Sequence, residues 1–321
     1  MAKEIITIYL GSKCNLNCAY CHREADKEEH GVTDKLLKLL DDERPQKIRF
    51  IGGEPTLYMD DIKKVVKHCP WAKFQVTTNA VLLSEHIDYF RKHNFKIVVS
   101  FDGNAASNLR GFDPLEEVID YPDLGISTTI CHGNTNFKKI LKGFCEAEKK
   151  IKRPLLFFPH IVHHTSKKNE AYALTLEDVD NLLAEYKYAI GRFWRDFDNF
   201  GVINRRYQPI FMQLLNLLKA QYEFGETYCM SKRHMKVNAN GDAFNCSYIR
   251  NVSAHKNKKY MQKMFPACEK CDYYFICGGA CVQSLSHAIE CHYYYKLYEF
   301  FTDFIAKLPE EKLRRLWRRL N

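Results

Sequence analysis

The chain has 321 residues, 46% hydrophobic and 27% charged, enough to bury a large core and to form about two domains. Its first residues are charged where a signal peptide needs an unbroken apolar stretch, and no run approaches the ~18 apolar residues of a membrane span, which argues against export and membrane insertion. Thirteen cysteines, an odd number without an export signal, point to metal binding in a reducing cytoplasm rather than to a disulfide scaffold, and the net charge of +9 suits an acidic partner.

Short β-rich runs alternate with helical patterns in the first half. Strands are expected at 5–10, 47–51, 73–78, 96–101, 125–131 and 155–161, with helices between them behind capping Thr33, Ser84 and Thr135. Six β-then-α units predict an α/β fold, a parallel sheet curled into a partial (β/α)6 TIM-like barrel over residues 1–165. Residues 166–228 follow as a helical bridge, with one helix at 176–190 behind Thr175 and another at 207–222. Residues 229–291 read as a small loop-rich domain carrying the second cysteine group. Residues 292–321 close the chain as a helical segment, in which Lys312, Arg314, Arg315, Arg318 and Arg319 surround an inward-packing Leu313, Leu316 and Trp317.

Directly after the first strand comes Cys14-x3-Cys18-x2-Cys21. In an open parallel sheet ligands bind beyond the carboxyl ends of the strands, where this loop emerges. Three thiolates from one loop can hold three irons of a 4Fe-4S cluster and leave the fourth without a protein ligand. A zinc site completed by His22 is the alternative. The spacing, with Tyr20 before its last cysteine, resembles the signature of the radical S-adenosylmethionine (SAM) superfamily. Other strand ends agree: Gly52-Gly53-Glu54-Pro55 after the second, Thr77-Thr78-Asn79 at the third, with Ala80 where the family has Gly, and Ser100-Phe101-Asp102-Gly103 at the fourth, with Arg110 downstream. The resemblance implies that these segments and Tyr20 surround SAM. Gly52 to Pro55 would meet the methionine ammonium group through backbone and acid, and Ser100, Asp102 and Arg110 would lie near the ribose or the methionine carboxylate. Alone, each motif is an ordinary turn or helix cap; their common place at successive strand ends gives them weight.

The later cysteines, Cys229, Cys246, Cys268, Cys271, Cys277, Cys281 and Cys291, resemble the SPASM domain of peptide-modifying radical SAM enzymes. That implies two auxiliary 4Fe-4S clusters, three in all. Cys229, Cys246 and Cys281 would hold the first, and Cys268, Cys271, Cys277 and Cys291 the second; a pair of structural zinc sites is the alternative. The first auxiliary cluster is left with three thiolates, because residues 230–236, where some relatives place a fourth, contain no cysteine. Its last iron would be open, water-bound or met by substrate. Asn240-Gly241 reads as a hairpin turn joining strands at Val237 and Phe244 and aiming Cys246 inward. Cys69 and Cys145 read as buried small hydrophobes, Cys131 as a packed thiol on the rim, and at least one of His160, His163 and His164 as a cavity residue.

The resemblance implies an oxidoreductase-type maturase of ribosomally made, modified peptides (RiPPs). Reductive cleavage of SAM to a 5′-deoxyadenosyl radical would be followed by hydrogen abstraction and an intrapeptide C-C, thioether or ether crosslink. Implied partners are an acidic precursor peptide and an external one-electron donor of flavodoxin or ferredoxin type. Because the first strand begins by residue 5, leader recognition falls to a separate protein, to the 166–228 helices, or to nothing. Anaerobic sulfatase maturases also resemble the chain but carry Asp where Ser247 stands, so protein side-chain oxidation is the alternative. From other classes, a multi-cluster electron-transfer protein would need no cofactor rim. A zinc-dependent RNA-binding protein would need a recognisable module, and Tyr293-Tyr294-Tyr295 reads as helix packing; neither nucleic acid nor membrane is expected as partner.

Overall fold

The β-rich runs form six strands within a residue of their expected bounds: β1 (Ile5–Tyr9), β2 (Lys47–Ile51), β3 (Lys73–Thr78), β4 (Lys96–Ser100), β5 (Leu124–Ile130) and β6 (Leu156–Ile161). The structure is a computed structural model that describes residues 3–21, 31–114, 121–224, 234–243, 262–263, 265–281 and 284–320. A further strand, β7 (His234–Asn238), comes from the cysteine-rich region and pairs in parallel with β1, Ile5 opposite His234 through Tyr9 opposite Asn238. The sheet is wholly parallel, in the order β6-β5-β4-β3-β2-β1-β7. The expected division between barrel and cysteine-rich domain is therefore bridged by backbone hydrogen bonds, and β7 covers the edge that β1 would otherwise expose.

Strand alternation sorts the two faces. Ile6 and Ile8, Ile48 and Phe50, Phe74 and Val76, and Ile97 and Val99 join the hydrophobic core with the crossover helices α1 (Asp34–Glu43), α2 (Met59–His68), α3 (Leu83–Lys92), α4 (Ala106–Arg110) and α5 (Phe137–Ile151). The opposite positions Ile51, Thr77, Ser100, Ser127, Thr129 and His160 line a cavity inside the curl of the sheet. Two expected caps move: Asn136, not Thr135, accepts the first-turn bond of α5, and Ser84 lies within α3, where Leu82 holds the cap position without a side-chain oxygen. Thr33 accepts from the Leu36 N–H, and Thr175 forms a reciprocal capping box with Asp178.

The second half is a helical pack. α6 (Leu176–Phe200) outruns its expected end because Phe193 and Phe197 continue its buried face, until Gly201 stops it with φ 65°. It packs with α7 (Gln208–Leu218), and after α8 (Tyr274–Cys277) the long α9 (His287–Ala306) joins them. Phe193 stacks on Phe211 at 4.5 Å, Phe211 meets Phe301 edge-on, and Tyr186 and Tyr293 share a buried 2.8 Å hydroxyl bond. On α10 (Glu310–Leu320), Leu316 packs inward while neighbouring Trp317 stays 43% exposed under the Lys219 ammonium. Adjacent helical residues point about 100° apart, so one faces the core. The same geometry exposes Cys145 beside buried Phe144, against expectation, whereas Cys69 and Cys131 are fully buried. Among the described residues no helix is long and apolar enough to cross a membrane.

Candidate active site

The loop after β1 is pinned against the turn after β2. The Gly53 and Glu54 N–H groups donate to the carbonyls of Gly11 and Lys13, both at 2.8 Å. A Cβ on Gly52 would stand 2.7 Å from the Gly11 oxygen, and one on Gly53 2.1 Å from that of Lys13. Two glycines are needed because two backbones touch there. Glu54 is buried and fully engaged: Oε1 accepts from the Thr56 N–H and from the Thr56 and Thr78 hydroxyls, and Oε2 accepts from the Asn79 N–H at 2.7 Å. Its carboxylate ties the ends of β2 and β3 together, a duty the sequence pattern did not show. Pro55 opens a 3-10 turn behind the Glu54 cap and does not line the cavity. Asn79 donates to Asn15 at 2.7 Å and lies 3.8 Å from the Cys14 sulfur. Ala80, in the family's Gly position, takes φ 69°.

A second carboxylate organises the other side. Asp102 is completely buried, behind the cavity wall rather than in it. It accepts from the Tyr20 hydroxyl at 2.6 Å and the Thr129 N–H at 2.8 Å, and pairs with Arg110 at 2.7 Å. Burial opposes the Arg110 charge, but Asp102, Tyr20 and Cys18 outweigh it and raise its pKa, so a fixed cation faces the cavity. Burial pushes the Cys18 thiol up, Arg110 pulls it back, and Cys21 and Cys14 raise it again. Cys18 thus feels both other thiols, and three thiolates from one loop are the donor set an iron-sulfur cluster uses. Asn169 locks the loop from behind, donating to the carbonyls of Tyr20 and His163.

Cys14, Cys18, Tyr20, Cys21, Gly52, Gly53, Glu54, Thr77, Asn79, Ser100 and Arg110 thus border one cavity of about 1000 Å³, large enough for a nucleoside-sized ligand with a second molecule. Lys13, Lys168, His160 and His163 also line it. His160 is open to the cavity but enclosed by the barrel; burial first, then His163 and Arg49, hold its pKa down to about 4, so the ring stays neutral. Cys131 sits at 0% exposure with Tyr20, Leu109 and Val162, and burial pushes its thiol up to about 12. It is a packing group. Lys168 and Ser127 were missed by motif reading, because they come from a connecting segment and a strand interior whose position only the curl of the sheet reveals.

The carboxyl-terminal cysteines separate into two places. Cys268, Cys271, Cys277 and Cys291 gather around α8 and the start of α9. Burial, then Cys277 and Cys271, push the Cys268 thiol up to about 11; burial, then Cys277, Cys268 and Cys271, push Cys291 up to about 12. Cys281 is not among those neighbours. It lies beside His163 and Glu290, whose ligand atoms and its sulfur fall within 4.8 Å of one another. Cys229, Cys246, Ser247 and Phe244 lie outside the described residues. The expected hairpin turn is present as far as it is described: Gly241 takes φ 87°, its N–H donates to the Asn238 carbonyl, and Val237 bridges Ala243.

Residues 8–143 match the profile of the Radical SAM superfamily. A probable GTP 3′,8-cyclase from Methanococcus maripaludis is 37% identical over 128 residues, 33% of this chain and 43% of that protein; the chain thus spans less than half the length of this relative. Among solved structures, anSMEcpe with bound AdoMet superposes with a TM-score of 0.68 at 20% identity, covering 96% of this chain and 99% of that one. The same protein is known with bound AdoMet and a Cp18Cys peptide. SuiB from Streptococcus suis, bound to the precursor peptide SuiA, gives 0.55 at 20% identity over 87% of this chain and 72% of that one. At such identities these structures establish the fold.

Proposed function

We propose that the chain, whose residues 8–143 match the Radical SAM superfamily profile, is an enzyme of that superfamily that modifies a ribosomally made peptide by hydrogen abstraction, with an intrapeptide crosslink as product. The observation that carries this function is the convergence of Cys14, Cys18 and Cys21 with Gly52, Gly53, Thr77, Asn79, Ser100 and Arg110 on one cavity. A 4Fe-4S cluster on the three cysteines, with SAM, supplies when bound the reductive sulfonium cleavage that delivers a 5′-deoxyadenosyl radical.

The protein's own part is positional. Gly52 and Gly53 let the turn after β2 seat against the cysteine loop, and Arg110, kept cationic by Asp102, offers a partner for a carboxylate. Thr77 and Ser100 line the same cavity and would offer hydroxyls to a sugar. The gathering of Cys268, Cys271, Cys277 and Cys291 supports a SPASM domain with one auxiliary cluster, and Cys281 serves the other, three clusters in all. Peptides in complex with anSMEcpe and SuiB support a peptide substrate. Lys13, Lys168 and Arg110 on the cavity border suit an acidic one. A flavodoxin- or ferredoxin-type donor completes the proposed system.

The test is anaerobic turnover of the iron-loaded chain with dithionite and SAM, adding in turn the short peptide encoded beside the gene and GTP. Peptide-dependent 5′-deoxyadenosine and loss of two hydrogens from the peptide are the expected results. Stimulation by GTP alone, with the peptide unchanged in mass, would move the chain to nucleotide chemistry. A gain of oxidation at one side chain without a crosslink would favour maturase-like oxidation.

A further inference from the structure

On the reading above, one auxiliary cluster has three thiolates, and the structure places a nitrogen and an oxygen donor beside one of them, Cys281. Cys281 follows the turn after α8, and Glu290 lies in the first turn of α9. Glu290 is 3% exposed, and its Oε2 accepts the Cys281 N–H at 3.1 Å. Its Oε1 stands 3.1 Å from the Nδ1 of His163, at ion-pair distance, and neither atom makes a hydrogen bond among the described residues. A buried carboxylate oxygen this close to a ring nitrogen calls for a proton or a metal to satisfy both. Two donor atoms about 3 Å apart are spaced as ligand and orienting partner around a metal.

The arrangement is built rather than incidental. The segment carrying His163 is clasped to the cysteine segment by the Leu285 N–H donating to the His164 carbonyl at 2.6 Å and by a 2.9 Å bond between His164 Nδ1 and the Ser286 hydroxyl. Asn169 holds the His163 carbonyl from the other side at 2.8 Å. Among the described residues, His163, Cys281 and Glu290 are the group whose ligand atoms cluster within 4.8 Å. A sulfur, an imidazole and a carboxylate suit iron or zinc better than a hard cation.

We propose that His163 is the non-cysteine ligand of the iron-sulfur cluster served by Cys281, with Glu290 orienting its imidazole. This rests on the radical SAM assignment above and deepens it. With His163 in place, the cluster is closed by protein, and the substrate does not bind its iron. Because His163 also borders the SAM cavity, one side chain joins the cavity wall to the auxiliary metal centre.

The experiment is electron-nuclear double resonance on the dithionite-reduced, iron-loaded full chain, grown with natural or ¹⁵N-labelled histidine. A histidine nitrogen coupling on a cluster signal is expected, shifting on labelling and disappearing in both His163→Ala and His163→Cys. The cysteine variant is expected to keep the wild-type iron content, about 12 per chain, and to lower the reduction potential of one cluster, since thiolate replaces a neutral ligand. No nitrogen coupling in wild type, its persistence in both variants, or a chain holding zinc in place of iron would overturn the assignment and leave His163 and Glu290 an ion pair. 5′-Deoxyadenosine is measured in the same wild-type sample. Its absence alongside a nitrogen-coupled cluster would count against the enzyme function while sparing the ligand.

Discussion

The rim of the barrel and the carboxyl-terminal cysteine segment both collect thiols, but they are held in opposite ways. At the rim, β-strand ends and two fully engaged carboxylates, Glu54 and Asp102, fix the loops before any ligand arrives. In the later segment, among the described residues, short helical turns carry the cysteines, the Cys268 and Cys291 thiols are pushed up to about 11 and about 12 chiefly by burial, and His163 and Glu290 meet at ion-pair distance without a hydrogen bond. The first region is braced by protein groups alone; the second gathers thiols and an imidazole–carboxylate pair whose organisation would be completed by a metal. One half of the machinery is therefore expected to fold without iron and the other to depend on it.

The largest effect should come from the rim's own thiols. Replacing Cys14, Cys18 or Cys21 by Ala is expected to reduce 5′-deoxyadenosine formation to background while the far-UV dichroism of the barrel is unchanged. Undiminished formation would refute the role given to this loop. Iron removal by chelation tests the contrast directly. Hydrogen exchange should accelerate across 265–291 and the first turns of α9 but stay slow in β1 to β5, and equal loss of protection in both regions would break the comparison.

Asp102→Asn comes next. The residue touches no cavity surface, yet it orients Tyr20 and Arg110, so SAM affinity is expected to fall about 10–100-fold, as for other outer-shell partners. An unchanged affinity by calorimetry would mean that Arg110 needs no such support. A smaller effect follows from β7. Burial, then Arg49, Lys236 and Lys3, hold the His234 pKa down to about 4, below its ordinary 6.5, while its Nε2 lies 2.8 Å from the Thr7 hydroxyl. The folded protein refuses a proton that the unfolded chain accepts below pH 6.5. Stability is thus full above that pH and falls as the solution is acidified towards about pH 4. His234→Gln should flatten this acid limb in urea midpoints measured across the range. Smallest of all, Ala80→Gly relieves a left-handed backbone at φ 69° and should stabilise the rim by about 0.5–1 kcal/mol, seen as a raised melting temperature.

Periodicity made the six strands of the barrel legible, because alternation of Ile6, Ile8, Ile48 and Phe50 against polar partners is a local signal. It could not reveal β7. The run His234–Asn238 is half polar, and its reason for being a strand is the open edge of β1, far away in the chain, where Ile5 pairs with His234. Capping was legible at Thr33 and Thr175 but slid by a residue at Asn136, since neighbouring polar side chains compete for the same N–H groups and sequence spacing does not say which wins.

The sequence by itself determined the chemistry: three cysteines after the first strand, glycines and polar residues at the next strand ends, and a later cysteine set with no fourth ligand for one group. Those are statements about residue identity and short spacing, which a chain carries locally. Only the tertiary structure decided what each residue does there. It gave Glu54 and Asp102 the bracing of the strand ends, left Asp102 and Pro55 off the cavity lining while Glu54 stays on it, and brought His163 of the β6 loop against Cys281 and Glu290. Such roles depend on which distant segments the curl of a sheet brings together, and burial, not spacing, sets whether a carboxylate or imidazole must find a partner.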